Sequence, residues 1–215
     1  MKKLIIILAA TAQISCGGQS NSKNETFDFA AYEKRMNDDP IRGRFYTKPD
    51  GTFVEEIGGS TPVRWETPPK PTFVKVYKEF YSNGNMKRNE TYFGKYTRVD
   101  ISLYYDEKGN MTRKIDENLK FGNIKPNDIL RFLEEKQRIN IATGEGIFDE
   151  EGRETFAAVY IEEKNLWHVE IYKGRPFTAS EMHEIMKTSF GEPNDWKSFE
   201  YEIDGETGEI TVVSD

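Results

Sequence analysis

The chain has few residues whose type and spacing could support catalysis or bind a metal ion. His168 and Glu170 are two positions apart, so on a β-strand they would share one face, but a zinc site needs a further protein ligand. The segment that begins at His183 carries Lys187 where the H-E-x-x-H zinc motif requires its second histidine. The glycines of residues 142–152 lack the Lys-Ser or Lys-Thr ending of a phosphate-binding loop. We therefore expect no catalytic residue, no metal ion and no cofactor.

The single cysteine, Cys16, follows a segment typical of an export signal. Lys2 and Lys3 precede an apolar run that is far short of the ~20 residues needed to cross a bilayer. The stretch QISC, which ends at Cys16, resembles the lipobox of bacterial lipoproteins, with Gln13 where that family usually has leucine. The resemblance implies a signal peptide at residues 1–15, a lipid on Cys16 and a place in the bacterial cell envelope, at the outer membrane. An ordinary secretory signal with an incidental cysteine is the alternative.

The composition favours β-sheet and weighs against nucleic-acid binding. Aromatic residues make up 13% of the chain, and the formal net charge is −7 at pH 7. A nucleic-acid-binding protein would need a basic stripe, and none stands out in the sequence. Cleavage before Cys16 would remove Lys2 and Lys3 and lower the charge from −7 to −9. Such an acidic protein suits a basic protein partner, because its field would steer that partner towards it.

Three stretches follow one pattern, in which an aromatic pair, a few polar residues and a glycine precede an apolar residue. They are residues 45–56, 80–90 and 104–114, with turn glycines Gly51, Gly84 and Gly109 that are 33 and 25 residues apart. Glycine allows the positive φ of a tight turn, so each stretch predicts a β-hairpin. Alternation predicts that Phe80, Met86, Tyr105 and Met111 lie on one side. We expect residues 60–72, which hold four prolines, to form an extended connector.

The second and third stretches resemble the MORN-variant repeats of bacterial envelope and antitoxin-type proteins. The usual repeat has an aromatic pair, an Asn-Gly turn, a Leu or Met and then a charged residue, a pattern that KEFYSNGNMKRNETYFG and LYYDEKGNMTRKIDEN follow. The resemblance covers residues 74–118, or 45–118 if the first stretch counts, although the first spacing of 33 residues exceeds the family's period. It implies an array of β-hairpins and an antitoxin or immunity role.

The chain after residue 118 predicts a compact α+β unit. Its predicted elements are helices at 125–140 and 178–193, strands at 153–163 and 166–174, and a hairpin at 198–215 around Asp204–Gly208. Thr178 and Glu181 have the spacing of a capping box at the start of the second helix. Met182 and Met186, four positions apart, predict the buried stripe of that helix.

Two segments of this unit carry a family resemblance. LWHVEIY and EYEIDGETGEI resemble strands of a PepSY domain, whose usual ending is Asp-x-x-Thr-Gly-x-Ile. PepSY domains usually join these strands by a short turn, whereas a helix is predicted between them here. The same pairing of W-x-V-E with IDGETGEI resembles small immunity proteins of the NTF2-like fold. A PepSY-like and an NTF2-like unit are therefore alternatives.

We predict an α+β protein in which an N-terminal antiparallel β-hairpin repeat array, MORN-like, precedes a small helix-plus-antiparallel-sheet domain. The predicted parts are a signal peptide (1–15), a lipidated tether with a short helix (16–44), the β-hairpin repeats (45–118) and the α+β domain (119–215).

Aromatic residues of the hairpins are the candidate interface. Tyr46, Tyr81, Tyr104 and Trp65 are of the types that bury a large area at little cost in entropy, although filling the hairpin core is the alternative use of such rings. The predicted function is that of a non-enzymatic, lipid-anchored envelope protein that binds another protein, with an immunity or antitoxin-like role. The alternatives are a PepSY-like modulator of an envelope hydrolase and a glycan-binding surface lipoprotein, in which Trp65 and tyrosines stack on sugars.

Overall fold

The computed structural model describes residues 25–148, 154–188 and 196–214. These residues form an α+β structure, in which a seven-stranded antiparallel sheet is followed along the chain by a four-stranded antiparallel sheet. The predicted fold class is confirmed at this level. The predicted signal peptide and Cys16 lie outside the described residues.

The seven-stranded sheet is a meander in which each strand pairs with its neighbours in the chain. Short turns make antiparallel pairing of consecutive strands the simplest arrangement. The strands are β1 (Phe45–Thr47), β2 (Phe53–Ile57), β3 (Val63–Thr67), β4 (Val74–Phe80), β5 (Met86–Phe93), β6 (Thr97–Tyr105) and β7 (Met111–Asp116).

β3 occupies part of residues 60–72, so the prediction of an extended connector is wrong for this segment. Arg64 and Glu66 are buried, while the three residues that alternate with them are partly exposed. This alternation suits a strand with two different faces, and β3 pairs with β2 on one side and β4 on the other. The prolines lie in the flanking turns, where a missing N–H breaks no ladder bond.

The three predicted glycine turns are confirmed, and they share one hydrogen-bond pattern. Gly51, Gly84 and Gly109 have φ of +88°, +86° and +80°, and each donates its N–H to the carbonyl of the residue three positions earlier. Gly84 and Gly109 lie at the same end of the sheet, because two strands separate their turns. Tyr81 Oη donates to Tyr105 O at 2.8 Å, which joins these two turns. Gly51 lies at the opposite end.

The cross-strand register assigns every strand residue to one of two faces. We call the face that carries Val54, Arg64 and Lys78 the covered face, and the face that carries Trp65 and Tyr77 the open face.

The covered face holds an apolar cluster near Gly84. Phe80, Met86 and Tyr105 lie on this side, as predicted, and are buried there together with Phe27 of the N-terminal segment. Met111 pairs with Tyr105 and so lies on the predicted side as well, but it is 57% exposed. The cluster ends at β6, and β7 is the edge strand beyond it.

The covered face also buries an ion network beside this cluster. Glu56 accepts from Arg64 Nε at 2.6 Å and from Arg35 of helix α1 (Phe29–Asp38), which Asp28 caps. Glu25 lies 2.6 Å from Arg64 and 2.8 Å from Lys78. The side chains of Glu56, Arg64 and Lys78 are at least nine-tenths buried. The N-terminal segment thus supplies charges that the sheet needs.

The four-stranded sheet has the order β11-β10-β9-β8 and packs one face on helix α2. Ile129 and Leu133 of α2 are fully buried in the same cluster as Trp167 and Val169. Its elements are α2 (Pro126–Glu135), β8 (Phe156–Ile161), β9 (Leu166–Pro176), α3 (Ala179–Thr188), β10 (Trp196–Asp204) and β11 (Ile210–Ser214).

Helix α3 differs from its prediction. The capping box is confirmed, since Glu181 N donates to Thr178 Oγ1 and Thr178 N donates to the Glu181 carboxylate. Met186, however, is 66% exposed, so the predicted stripe is wrong. The partly buried apolar positions are instead Met182 and Ile185, which are three positions apart and so neighbours on the helix surface.

The two sheets share one hydrophobic core. Phe93 and Val99 of the covered face belong to the cluster that contains Trp167. At this junction Thr97 Oγ1 donates to Ala158 O at 2.8 Å, and Ala158 N donates to Gly94 O at 3.1 Å. The second sheet therefore covers the end of the covered face that lies away from Gly84.

Substitutions of two neighbouring glutamates of β2 test how much the buried ion network contributes to stability. We expect Glu56→Gln to lower the free energy of unfolding by about 3 to 5 kcal/mol, because it removes the buried carboxylate charge that Arg64 and Arg35 share. Glu55→Gln is the matched control on the open face, where Glu55 lies 3.8 Å from Arg44 and a change within about 0.5 kcal/mol is expected. Urea denaturation followed by tryptophan fluorescence measures both. Equal losses in the two variants would contradict the account.

Candidate binding surface

The open face carries a row of aromatic side chains. The register pairs Trp65 with Tyr77, and their ring centroids are 4.8 Å apart. Tyr92 completes a cluster, since its ring centroid lies 5.6 Å from that of Trp65 and 6.4 Å from that of Tyr77. At the β1 end, Phe45 and Phe53 stack with centroids 5.9 Å apart, and Phe53 is 45% exposed. A ligand can therefore reach this apolar surface.

Glu90 lies at the centre of the other half of the open face, and its side chain has no exposed surface. Its carboxylate accepts from Tyr104 Oη at 2.8 Å and from Tyr92 Oη at 3.0 Å. Arg98 Nη1 and Arg88 Nη1 lie 3.3 Å and 3.4 Å from its two oxygens. Because a buried carboxylate without partners is costly, these four groups are held around it.

Two further buried carboxylates extend this arrangement. Glu79 accepts from Lys87 Nζ at 2.6 Å and from Arg88 Nε. Glu117, in the 3₁₀ turn Glu117–Lys120, accepts from Ser102 Oγ at 2.8 Å and lies 3.6 Å from Arg98. Arg88 thus contacts Glu79 and Glu90, and Arg98 contacts Glu90 and Glu117. Carboxylates and arginines therefore alternate across the open face from β4 to the 3₁₀ turn.

The surroundings shift the pKa of several of these groups. Burial, followed by the charge of Glu90, raises the pKa of Tyr92 to about 12. Burial also raises the pKa of Tyr77 and of Tyr104. Burial alone would raise the pKa of Glu79, but its bonds to Lys87 and the charge of Arg88 outweigh burial and hold that pKa below its usual value. At neutral pH the phenols therefore keep their protons and donate hydrogen bonds to the neighbouring carboxylates.

The structure separates the four predicted interface aromatics. Trp65 and Tyr104 lie on the open face. Tyr46 lies on the covered face, where its Oη donates to Glu56 at 3.2 Å and the Arg35 guanidinium sits 4.5 Å above its ring. Tyr81 lies at the Gly84 turn, donating to Tyr105 O.

Sequence reasoning missed the remaining members of the open face. Tyr77 is not part of an aromatic pair, and the pair Tyr92–Phe93 lies outside the three compared stretches, so the repeat pattern did not select them. A signal was present in residues 74–80, where Lys75, Tyr77 and Glu79 alternate with other residues and so share one side of a strand. The pairing of each arginine with two carboxylates depends on register between strands, which the sequence did not provide.

His168 and Glu170 were considered above as possible metal ligands. His168 and Glu170 lie on one face of β9, as alternation predicted, and the register places Glu202 opposite His168. Within residues 25–148, 154–188 and 196–214, no three His, Cys, Asp or Glu residues are placed to hold a metal ion. Among the same residues, no helix is long and apolar enough to cross a membrane.

Comparison with known proteins gives no match: no family model, curated protein or solved structure resembles this chain.

The raised pKa of Tyr92 predicts a loss of stability at alkaline pH. An unfolded tyrosine loses its proton near pH ~10, whereas folded Tyr92 keeps it to about 12. Between these values the unfolded state binds fewer protons, so the free energy of unfolding falls as pH rises. Tyr46, whose pKa burial also raises to about 12, adds a second such contribution from the covered face.

We expect Tyr92→Phe to make the decline between pH 10 and 12 shallower, and Tyr92→Phe with Tyr46→Phe to make it shallower again. Urea denaturation at a series of pH values gives the slope. An unchanged slope in the double variant would contradict the placement of these phenols.

Proposed function

We propose that this protein is a non-enzymatic binding protein of the bacterial envelope, which holds a partner protein on the open face of its seven-stranded sheet. The observation that carries the proposal is the combination of Trp65, Tyr77 and Tyr92 with Arg88 and Arg98 on one accessible surface. Trp, Tyr and Arg are the residue types that dominate the energetic centres of protein–protein interfaces.

The order of these side chains also supports binding. The arginines and tyrosines are fixed by Glu79 and Glu90, so little rotamer entropy remains to be lost when a partner docks. The face is a continuous sheet surface rather than a cleft, which suits a broad contact better than the enclosure of a small substrate.

A protein partner is favoured over a glycan by the ring geometry. Trp65 and Tyr77 are tilted by 58°, and Tyr77 and Tyr92 meet edge to face at 85°. Rings that contact one another in this way present edges as well as faces. An extended sugar chain would instead need parallel, separated rings on which to stack.

The lipid anchor is part of the proposal and rests on the sequence around Cys16. Glu25 lies nine positions after Cys16, a span of at most about 30 Å. Glu25 and Phe27 attach to the covered face near Gly84. A chain tethered there would keep the open face turned away from its point of attachment.

The role of the bound partner follows from the family resemblance. The turns at Gly84 and Gly109 have the same backbone hydrogen bonds and contact each other through Asn83 and Glu107, which supports a repeat of the MORN-variant type. That resemblance implies the neutralisation of a toxin. The helix α2 packed on a four-stranded sheet supports a PepSY-like or NTF2-like second unit, and with it the alternative of restraining an envelope hydrolase.

Photocrosslinking in the bacterial cells that make the protein tests the location of the interface. A benzophenone amino acid at Phe53 or Ile57, which are 45% and 46% exposed on the open face, should give one shared protein adduct. The same group at Ile41 or Met186, which are 81% and 66% exposed elsewhere, is the control and should not give it. Trp65→Ala should lower the Phe53 adduct at least about tenfold, as expected for an interface centre.

The proposed interface would be wrong if the Ile41 and Met186 positions gave the shared adduct and the open-face positions did not. Circular dichroism of the purified Trp65→Ala protein shows whether a lost adduct reflects unfolding.

Substitution of Cys16 tests the proposed lipid anchor. Cys16→Ser should move the protein from the membrane fraction to the soluble fraction and abolish labelling by an alkyne fatty acid, because no other cysteine can carry the lipid. Cys16→Ala is the control for the serine hydroxyl. Membrane retention with undiminished labelling in both variants would exclude lipidation at this residue.

A further inference from the structure

The open face is divided into an apolar half and a cationic half. Phe45, Phe53 and Trp65 occupy β1 to β3. Lys87 and Arg88 on β5, Arg98 on β6 and Arg113 on β7 surround the tyrosines of the other half. The register pairs Arg88 with Tyr104, and Tyr104 in turn with Arg113.

Within the cationic half, the negative charges lie underneath and the positive charges lie on top. The side chains of Glu79, Glu90 and Glu117 are 8%, 0% and 5% exposed. The side chains of Lys87, Arg88 and Arg98 are 44%, 36% and 39% exposed, and Arg113 is exposed as well. A partner that approaches this half therefore meets cations first.

The cations are also positioned for carboxylate recognition. The contacts of Arg98 to Glu90, Glu117 and the Tyr104 hydroxyl are all made by Nη1, at one side of its guanidinium. The Arg113 guanidinium lies over the Tyr104 ring at 5.4 Å from the centroid. An arginine whose plane is fixed can donate two parallel hydrogen bonds to an incoming carboxylate, which strengthens and orients the contact.

We infer that the partner docks an acidic polypeptide surface, with carboxylate side chains, against the cations of β5 to β7. This inference rests on the proposed function and names the chemistry of its partner. The whole-chain charge of −7 favours a basic partner, but charges farther away than about 8 Å are screened at physiological salt, so the local cations decide what docks.

The test uses defined polymers and the full-length protein purified in detergent. Poly-L-glutamate is the probe for an acidic polypeptide, and poly-L-lysine of equal length is the opposite-charge probe. Polygalacturonate and an oligothymidylate represent anionic polysaccharides and nucleic acids. Calorimetry at low and at high sodium chloride gives the affinity for each.

The variants keep Arg88 and Arg98, which neutralise buried Glu90, and Arg88 still neutralises buried Glu79 when Lys87 is replaced. Lys87→Gln with Arg113→Gln removes two exposed cations of the patch. Lys34→Gln with Arg131→Gln removes two exposed cations from α1 and α2 and is the matched control. Circular dichroism and urea denaturation check that both double variants fold.

We expect poly-L-glutamate to bind most tightly of the four polymers, and to bind more weakly at high salt. The patch variant should lose about tenfold or more in affinity, because hydrogen bonds to charged groups are stronger than those between neutral groups, and the control variant should lose less than about twofold.

Tighter binding of poly-L-lysine, polygalacturonate or oligothymidylate would overturn the inference. Equal losses in the two double variants would overturn it as well, because binding would then follow net charge alone. The proposed function fails separately: an open-face crosslink together with no binding of poly-L-glutamate would keep the protein interface and reject its acidic partner.

Discussion

The burial of charge on the covered face of the seven-stranded sheet is the constraint on which the rest of the structure depends. Arg64 and Lys78 point from β3 and β4 into a region with almost no solvent, and the sheet itself offers them only Glu56 and Glu66. Glu25 supplies a further carboxylate from the N-terminal segment, and Phe27 closes the adjoining apolar cluster. Since buried ions are stabilised by close partners, this carboxylate favours a position of the N-terminal segment across this face. The second sheet covers the other end of the same face, and the opposite face is left for solvent or a partner.

The open face also buries carboxylates, and it satisfies them with side chains that remain accessible. Its three buried carboxylates also need partners, and they take them from tyrosines and arginines whose outer surfaces remain accessible. The groups that satisfy the sheet are thereby fixed in position and displayed to solvent. Fixed aromatic rings and guanidinium groups are well suited to hold a macromolecule, because their order is established before binding.

Sequence patterns predicted the positions of strands, turns and helices along the chain better than they predicted which residues lie together in the folded protein. Period-two alternation and glycine turns gave the hairpins at Gly51, Gly84 and Gly109, and the Thr178–Glu181 spacing gave the start of α3. Residues 60–72 were predicted to be a connector because they hold four prolines, and the alternating pattern of β3 between those prolines was given less weight. In the structure, β3 is an inner strand of the sheet. Met186 was predicted to be buried from its hydrophobicity and its spacing from Met182, but it is 66% exposed. Only two of the four interface aromatics, Trp65 and Tyr104, lie on the open face, because which face a residue takes depends on register across several strands.

Hydroxyl-radical footprinting in intact cells and on the purified protein tests the central claim, that the open face is occupied by a partner in the envelope, most directly. The account predicts that oxidation of Trp65, Tyr77 and Tyr92 falls several-fold in cells relative to the purified protein. Tyr96 and Trp196, which are 54% and 38% exposed away from the aromatic cluster, should be oxidised equally in both. Equal oxidation of the three open-face aromatics in cells and in the purified protein would contradict the account.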